Sequence, residues 1–352
     1  MSTLASHGSP GLNNRSTARA DGWARLPAEY AIPDQAPSLE EAQAYCERLA
    51  RRHYENFSVA TWFLPKRLRP HFYSVYAYCR ISDDLGDEVG DPQQALALLG
   101  EWERELEATY FSLAGLEQGF SPAVAADKKV RALAPEVRAP RHPAFIALRE
   151  TIRACDIPQH EFSDLLKAFR QDQTVHRYET FDDLLGYCRY SANPVGHLVL
   201  YVCGYRDAER QQLADYTCTA LQLANFWQDV SVDWQEGRVY LPLEDMRRFG
   251  VSEREIAQRR PTPDFLKLVK FEVERAREWF ERGLPLIERV DRDLGIDIEL
   301  FSRGGQEILK AIERQGFDVL RQRPVISKLR KLWLVARAGL NRVIGGSGHL
   351  VI

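Results

Sequence analysis

The chain has no C-x-x-C pair and no run of alternating β-branched residues bounded by turn signals. It also lacks any apolar stretch reaching the roughly 18 residues that a transmembrane helix needs. Each absence excludes something. Six scattered cysteines (Cys46, Cys79, Cys155, Cys188, Cys203 and Cys218) read as reduced, mostly buried thiols, not as a disulfide framework or a zinc site. Without strand signals the expected fold class is all-α. The formal net charge of -3 lacks the basic excess of a nucleic-acid binder, so no nucleic-acid partner is expected. Residues 1–37 have no apolar signal-peptide core and no amphipathic face, and read as a disordered leader. No H-E-x-x-H or G-x-S-x-G occurs, and His71 and His197 lack a metal-ligand partner at helical spacing. Those two histidines are expected in ordinary packing or surface roles, and zinc- and serine-hydrolase readings fall away. "GGSG" (345–348) lacks the strand that precedes a nucleotide-binding loop, so 344–352 reads as a flexible tail.

What the chain does have is helical periodicity almost throughout. "SLEEAQAYCERLARRHYENF" (38–57) opens with Ser38 and, three residues on, Glu41, the signature of a capping box. Further helices are predicted over 66–88, 92–112, 143–155, 159–177, 180–192, 195–204, 207–236, 263–282, 296–317 and 325–343. Two stretches interrupt the pattern: 120–143, rich in Ala, Pro and basic residues, and 237–251, where a helix breaks at Gly237 and resumes after Pro242. Neither reads as an interdomain linker, so one helical domain over 38–343 is expected.

"RISDDLGDE" (80–88) places Asp83 and Asp87 on one helical face, with Asp84 and Glu88 as a second i, i+4 pair. By itself such a pair is more often a solvated face than a site. A second cluster changes the weighting: "LQLANFWQDVSVDWQEGRVYLP" (221–242) sets Asn225, Asp229 and Asp233 at i, i+4 and i+8, with Gln222 a turn earlier, on a helix otherwise apolar nearly all round. Buried acids need partners. Oxygen ligands at one-turn spacing on two separate helices suit Mg²⁺, which binds through one or two carboxylates, waters and substrate phosphates. Arg80, Arg177 and Arg238 are candidates to complete an anion site, since arginine contacts phosphate bidentately. For each arginine, an ordinary ion pair or solvent-facing role is an equally open reading.

"YAYCRISDDLGDE" and "NFWQDVSVDWQEGRVYLP" resemble the paired aspartate-rich motifs of the squalene/phytoene synthase family. The likeness runs from about 40 to 335 and takes in "LPKRLRPHFYSVYAYCR", "YETFDDLLGYCRYSANPVGHLVLY" and "EILKAIERQGFDVLRQRPVISKLRKLWL". It implies a class I isoprenoid synthase fold, with helices surrounding a central cavity. It also implies Mg²⁺ ligands at Asp83, Asp84, Asp87, Asn225, Asp229 and Asp233, and diphosphate contacts at Arg80, Arg177, Arg238 and Arg323. By the same resemblance Tyr76 and Tyr178 lie near the phosphates, and Ala192, Val195 and Gly196 of "SANPVG" form cavity wall. Asn56-Phe57 stands where most members have Ser-Phe, "ANPVG" replaces "AGTVG", and Gly305-Gln306 replaces a usual tyrosine. "ENF", "SANPVG" and "NFWQDVSVD" together are most similar to the bacterial hydroxysqualene synthase branch.

That branch implies an enzyme that ionises presqualene diphosphate and captures the rearranged carbocation with water, giving hydroxysqualene and pyrophosphate, with no nicotinamide cofactor. It implies functional coupling to a presqualene diphosphate synthase and a hydroxysqualene dehydroxylase in hopanoid biosynthesis. Alternatives within the family are condensation of two farnesyl diphosphates or of two geranylgeranyl diphosphates; outside it stands a non-catalytic scaffold relative. The expected location is cytoplasmic. The basic, amphipathic C-terminal stretch leaves open both peripheral contact at the inner membrane face and plain packing on the body.

Overall fold

A computed structural model describes residues 25–52, 65–117 and 139–327. Helices α1 (Leu39–Arg52), α2 (Arg69–Asp87), α3 (Pro92–Glu117), α4 (Pro143–Cys155), α5 (Gln159–Gln171) and α6 (Phe181–Ser191) follow in order. They lead into α7 (Asn193–Val202), α8 (Ala208–Asp233), α9 (Leu243–Arg248) and α10 (Glu253–Ala257). The chain then forms α11 (Pro263–Gly283), α12 (Leu286–Arg289) and α13 (Arg292–Arg314). Among the described residues there is no named strand, only an isolated bridge between Arg177 and Val239. The fold is all-α.

Local chemistry explains where the helices start. The Ser38–Glu41 box forms: Glu41 N donates to Ser38 Oγ (3.3 Å) and Ser38 N donates to Glu41 Oε2 (2.8 Å). Thr180 and Asp183 make the same box at α6. Asp207, Thr262 and Asp291 cap α8, α11 and α13 with their side chains. Pro194 sits in the first turn of α7, and Ala192 (φ -119°, ψ -47°) is the junction residue between α6 and α7.

Two large apolar cores result, beside smaller clusters. One packs Phe72, Tyr78, Ile81 and Leu85 of α2 with Trp102, Phe145 and Phe162. The other packs Leu223, Phe226 and Trp227 of α8 with Tyr187, Tyr240, Phe265 and Phe280. Residues 25–37 belong to this body, not to the leader: Leu26 and Tyr30 are buried in the first core. Close approach in the second core depends on small residues. A Cβ on Gly283 would lie 2.2 Å from Thr217 Oγ1, and one on Gly305 would lie 2.3 Å from Phe280 Cζ and 2.8 Å from Leu221 Cδ2. Gly305 therefore lets α13 lie against α8 and α11 where a larger residue would not.

His197 on α7 has a larger role than ordinary packing. Its Nδ1 meets the buried Glu161 carboxylate at 3.0 Å and its Nε2 lies 2.8 Å from Asp215 Oδ1, so one ring ties α5, α7 and α8. Burial opposes the charged ring, but these two acids outweigh it and push its pKa up to about 9. A His pKa raised above the unfolded value stabilises fully below pH about 6.5, and that contribution is lost as pH rises through about 9. The described part of the 325–343 prediction (325–327) is irregular, and the rest of it, with 344–352, lies outside the described residues.

His197→Gln is expected to destabilise the protein by about 2 kcal/mol at pH 6. Urea unfolding of both proteins from pH 6 to 9.5 should show the gap narrowing; a constant gap would show that the imidazolium charge is not what holds the three helices.

Candidate active site

Between the two cores lies a cavity of about 830 Å³, within the usual range for a small-molecule site. Helix α2 contributes Tyr76, Cys79, Arg80, Asp83 and Asp87; α8 contributes Gln222, Asn225, Phe226, Asp229, Val232 and Asp233. The two acidic motifs, more than a hundred positions apart in sequence, thus face one space. Each repeats at i, i+4 because one helical turn returns a side chain to the same face. The rows are partly exposed on the cavity side, while Leu85, Leu223 and Trp227 anchor the opposite faces in the cores.

The third wall comes from two irregular segments that pair with each other. Val239 N donates to His176 O (2.9 Å), Leu243 N to Tyr178 O (2.9 Å) and Glu244 N to Glu179 O (3.0 Å). Gly237 adopts the left-handed conformation (φ +79°) that ends the 3-10 turn Trp234–Glu236. This pairing carries Arg238 and Tyr240 into the cavity. Arg238 Nη2 donates to Asp87 Oδ1 (2.7 Å), joining the segment after the second motif to the first. Asp87 is the largest specific partner raising the guanidinium's pKa. Tyr240 stacks on Phe226 (centroids 3.9 Å apart, 11° between planes) and on Tyr178 (5.8 Å, 19°), and lies 6.0 Å from Tyr187.

The acids are poorly compensated. Burial, and then the charge of Asp87, push Asp83 up to about 6; burial, and then Asp229, push Asp233 up to about 8. A divalent cation between the rows would relieve both costs, and an all-oxygen donor set of carboxylates and one carboxamide matches a hard ion. Among the described residues no group of three His, Cys, Asp or Glu side chains is arranged to hold a metal unaided. An ion held here would need waters and substrate phosphates to complete its shell. The residues present therefore fit the ion.

Several expected placements need correction. Asp84 is buried and turned from the cavity: it pairs with Arg80 and accepts from Tyr30 OH (2.7 Å). It steadies Arg80 and is not placed as a metal ligand. Arg177 is engaged by Glu253 (Nε–Oε1 2.6 Å) and packs over the Trp234 ring, clamping the Gly237 turn outside the cavity lining. Tyr178 supports Tyr240 from behind. Arg323 does not line the cavity but pairs with Asp229, Nη2 donating to Oδ2 at 2.9 Å. Val195 lines the cavity, whereas Ala192 is buried at the α6–α7 break. Gly196 is a packing position, where a Cβ would come within 2.7 Å of Cys218 Sγ. Asn56 and Phe57 lie outside the described residues.

The structure also adds residues that spacing did not reveal. Arg52, Leu165, Phe169, Asp172, Tyr187, Ser191, Glu236 and Tyr240 line the same cavity. Asp172 is the most notable. It is buried, accepts from Tyr187 OH (2.9 Å), and burial pushes it up to about 7. It ends α5 as a single acid, with no repeat to mark it; only its position at i+7 from Leu165 on an apolar helical face could have flagged it.

An all-α bundle with two aspartate-bearing helices facing one aromatic cavity is the class I isoprenoid synthase arrangement. The family model described as squalene/phytoene synthase matches residues 50–330, and the chain belongs to that family. The squalene synthase HpnC from Alicyclobacillus acidocaldarius is 40% identical with a TM-score of 0.69, covering 85% of this chain and 98% of its own. The hydroxysqualene synthase of Rhodopseudomonas palustris is 30% identical over 74% of this chain and 80% of its own length. The 15-cis-phytoene synthase of Synechococcus elongatus is 28% identical over 84% of this chain and 91% of its own length. Among the described residues no helix is long and apolar enough to cross a membrane.

If Asp84 anchors Arg80 from below, Asp84→Ala should cost about 2 kcal/mol of stability by stranding the guanidinium, and Tyr30→Phe about 1 kcal/mol. Chemical denaturation measures both; an unchanged midpoint for Asp84→Ala would mean that this carboxylate does not hold the core together.

Proposed function

We propose that the protein is a Mg²⁺-dependent prenyl synthase that ionises presqualene diphosphate and captures the rearranged carbocation with water, releasing hydroxysqualene and pyrophosphate. The observation that carries this reading is the convergence of Asp83, Asp87, Asn225, Asp229 and Asp233 from two helices on one cavity with an aromatic wall. The likeness to the HpnC squalene synthase and to a hydroxysqualene synthase supports the choice of substrate. Bound Mg²⁺ would supply positive charge against the departing pyrophosphate, held by the two aspartate rows with Asn225.

The chain's own residues do the rest. Arg80 and Arg238 already lie against the carboxylates and present guanidinium groups where diphosphate oxygens would gather, while Arg323 holds Asp229 from outside the lining. Electrostatic stabilisation of the leaving group at the point of charge separation is the main source of rate. Phe226 and Tyr240, stacked face to face, line the cavity with aromatic carbon that would shield a carbocation from bulk water. The product is apolar, which makes peripheral contact with a membrane surface a reasonable delivery route and a dehydroxylase its natural consumer. No nicotinamide cofactor enters this reaction, because capture by water involves no net reduction.

A second reading, head-to-head condensation of two allylic diphosphates, is favoured by the 15-cis-phytoene synthase relative. The two are separated by incubating purified protein and Mg²⁺ with presqualene, farnesyl or geranylgeranyl diphosphate and identifying products by mass spectrometry. Hydroxysqualene from presqualene diphosphate is expected; phytoene from geranylgeranyl diphosphate would replace the first reading with the second. Asp83→Asn and Asp229→Asn should each lower turnover about a hundredfold or more with folding intact by circular dichroism. Near-normal turnover in either would remove that residue from the metal site.

A further inference from the structure

Part of the cavity lining is apolar, with Leu165, Phe169, Val195 and Phe226, and three polar groups interrupt it, the first of them within the field of Arg238, Asp87 and Asp83. Asp172 ends α5, and Tyr187 and Ser191 stand one turn apart on the same face of α6. Burial keeps the Tyr187 phenol protonated, so it donates to Asp172 Oδ2 (2.9 Å) and fixes that carboxylate. The remaining oxygen, Asp172 Oδ1, is buried with no hydrogen-bond partner among the described residues. So is Ser191 Oγ. Tyr187 is itself braced by Phe226 and Tyr240.

Buried polar atoms without partners are costly and are commonly satisfied by a specific water with two or more polar contacts. Two such atoms on one cavity wall, beside a carboxylate already oriented by a phenol, make a place for one water among apolar side chains.

We propose that Asp172, oriented by Tyr187 and assisted by Ser191, binds and deprotonates the water that captures the carbocation. This rests on the hydration reading given above. The water's lone pair forms the new C–O bond, one of its O–H bonds breaks, and that proton passes to Asp172 Oδ1. Ser191 accepts or donates a hydrogen bond to hold the oxygen in line. The electron pair of the earlier C–O bond has by then left with pyrophosphate, so charge and atoms balance without a reductant. Burial of Asp172, which brings its affinity for a proton near neutrality, suits a group that must take up a proton and later release it. The site sets specificity as well as rate, because it decides whether the cation ends as an alcohol or loses a proton instead.

The test uses full-length wild type and the Asp172→Asn and Ser191→Ala variants with Mg²⁺, presqualene diphosphate and ¹⁸O-labelled water. Alcohol formed per pyrophosphate released is the readout, because a merely structural defect lowers both together and leaves the ratio alone. The expected result is labelled alcohol from wild type, and a ratio lower by about tenfold or more in Asp172→Asn and by a smaller factor in Ser191→Ala. The lost alcohol should reappear as hydrocarbon elimination products. A wild-type ratio in both variants overturns the water site while leaving the hydration reading in place. Should the Asn variant fail to fold, the smaller Ser191→Ala change decides by the same ratio. If wild type makes no ¹⁸O-labelled alcohol, the hydration reading fails first and the water site fails with it.

Discussion

Concentrated negative charge inside an apolar bundle is the constraint around which this protein is organised. Asp83, Asp87, Asp172, Asp229, Asp233 and Glu236 all border one cavity. Helical packing alone would not tolerate such a concentration, because burial disfavours the ionised forms of Asp83, Asp172 and Asp233. The chain answers with arginines from separate places: Arg80 on α2, Arg238 after α8 and Arg323 beyond α13. What remains uncompensated is a demand for more positive charge, and that demand matches a metal-bound diphosphate.

The fold can be read as the means of meeting that demand without letting the cores merge. Each acidic helix buries its apolar face in its own core, and the cavity is the space left between them. The 176–180 and 239–244 segments, paired by backbone hydrogen bonds, close the third side. Arg177, outside the cavity, locks that pairing through Glu253 and Trp234. Small residues then set how closely the second core packs, with Gly283 against Thr217 and Gly305 against Phe280.

Periodic features were legible in the sequence. The long helices, the Ser38–Glu41 cap, the break at Gly237 and the two acidic rows all repeat or punctuate at intervals fixed by helix geometry, so one chain read alone could reveal them. Features that depend on tertiary closure were not. Asp84 has the same spacing credentials as Asp83, but a rotation of about 100° per residue sends it toward Tyr30. Tyr30 itself lay in a stretch read as leader, because a short buried segment without periodicity leaves no pattern to detect. Asp172 and Ser191 escaped for a related reason: each is a lone polar residue whose meaning comes only from what faces it. His197 looked incidental because its two acids arrive from other helices.

The span from Asp233 to Arg238 acts as a ruler. Its ends are tied by the bond from Arg238 N to Asp233 O (2.8 Å), and its bend is possible only because Gly237 accepts a left-handed backbone. Within five residues the chain therefore sets the distance between the last acid of the second row and the guanidinium that reaches the first. That short turn thus adds a local link between the two acidic rows to the separation that the packed helices impose.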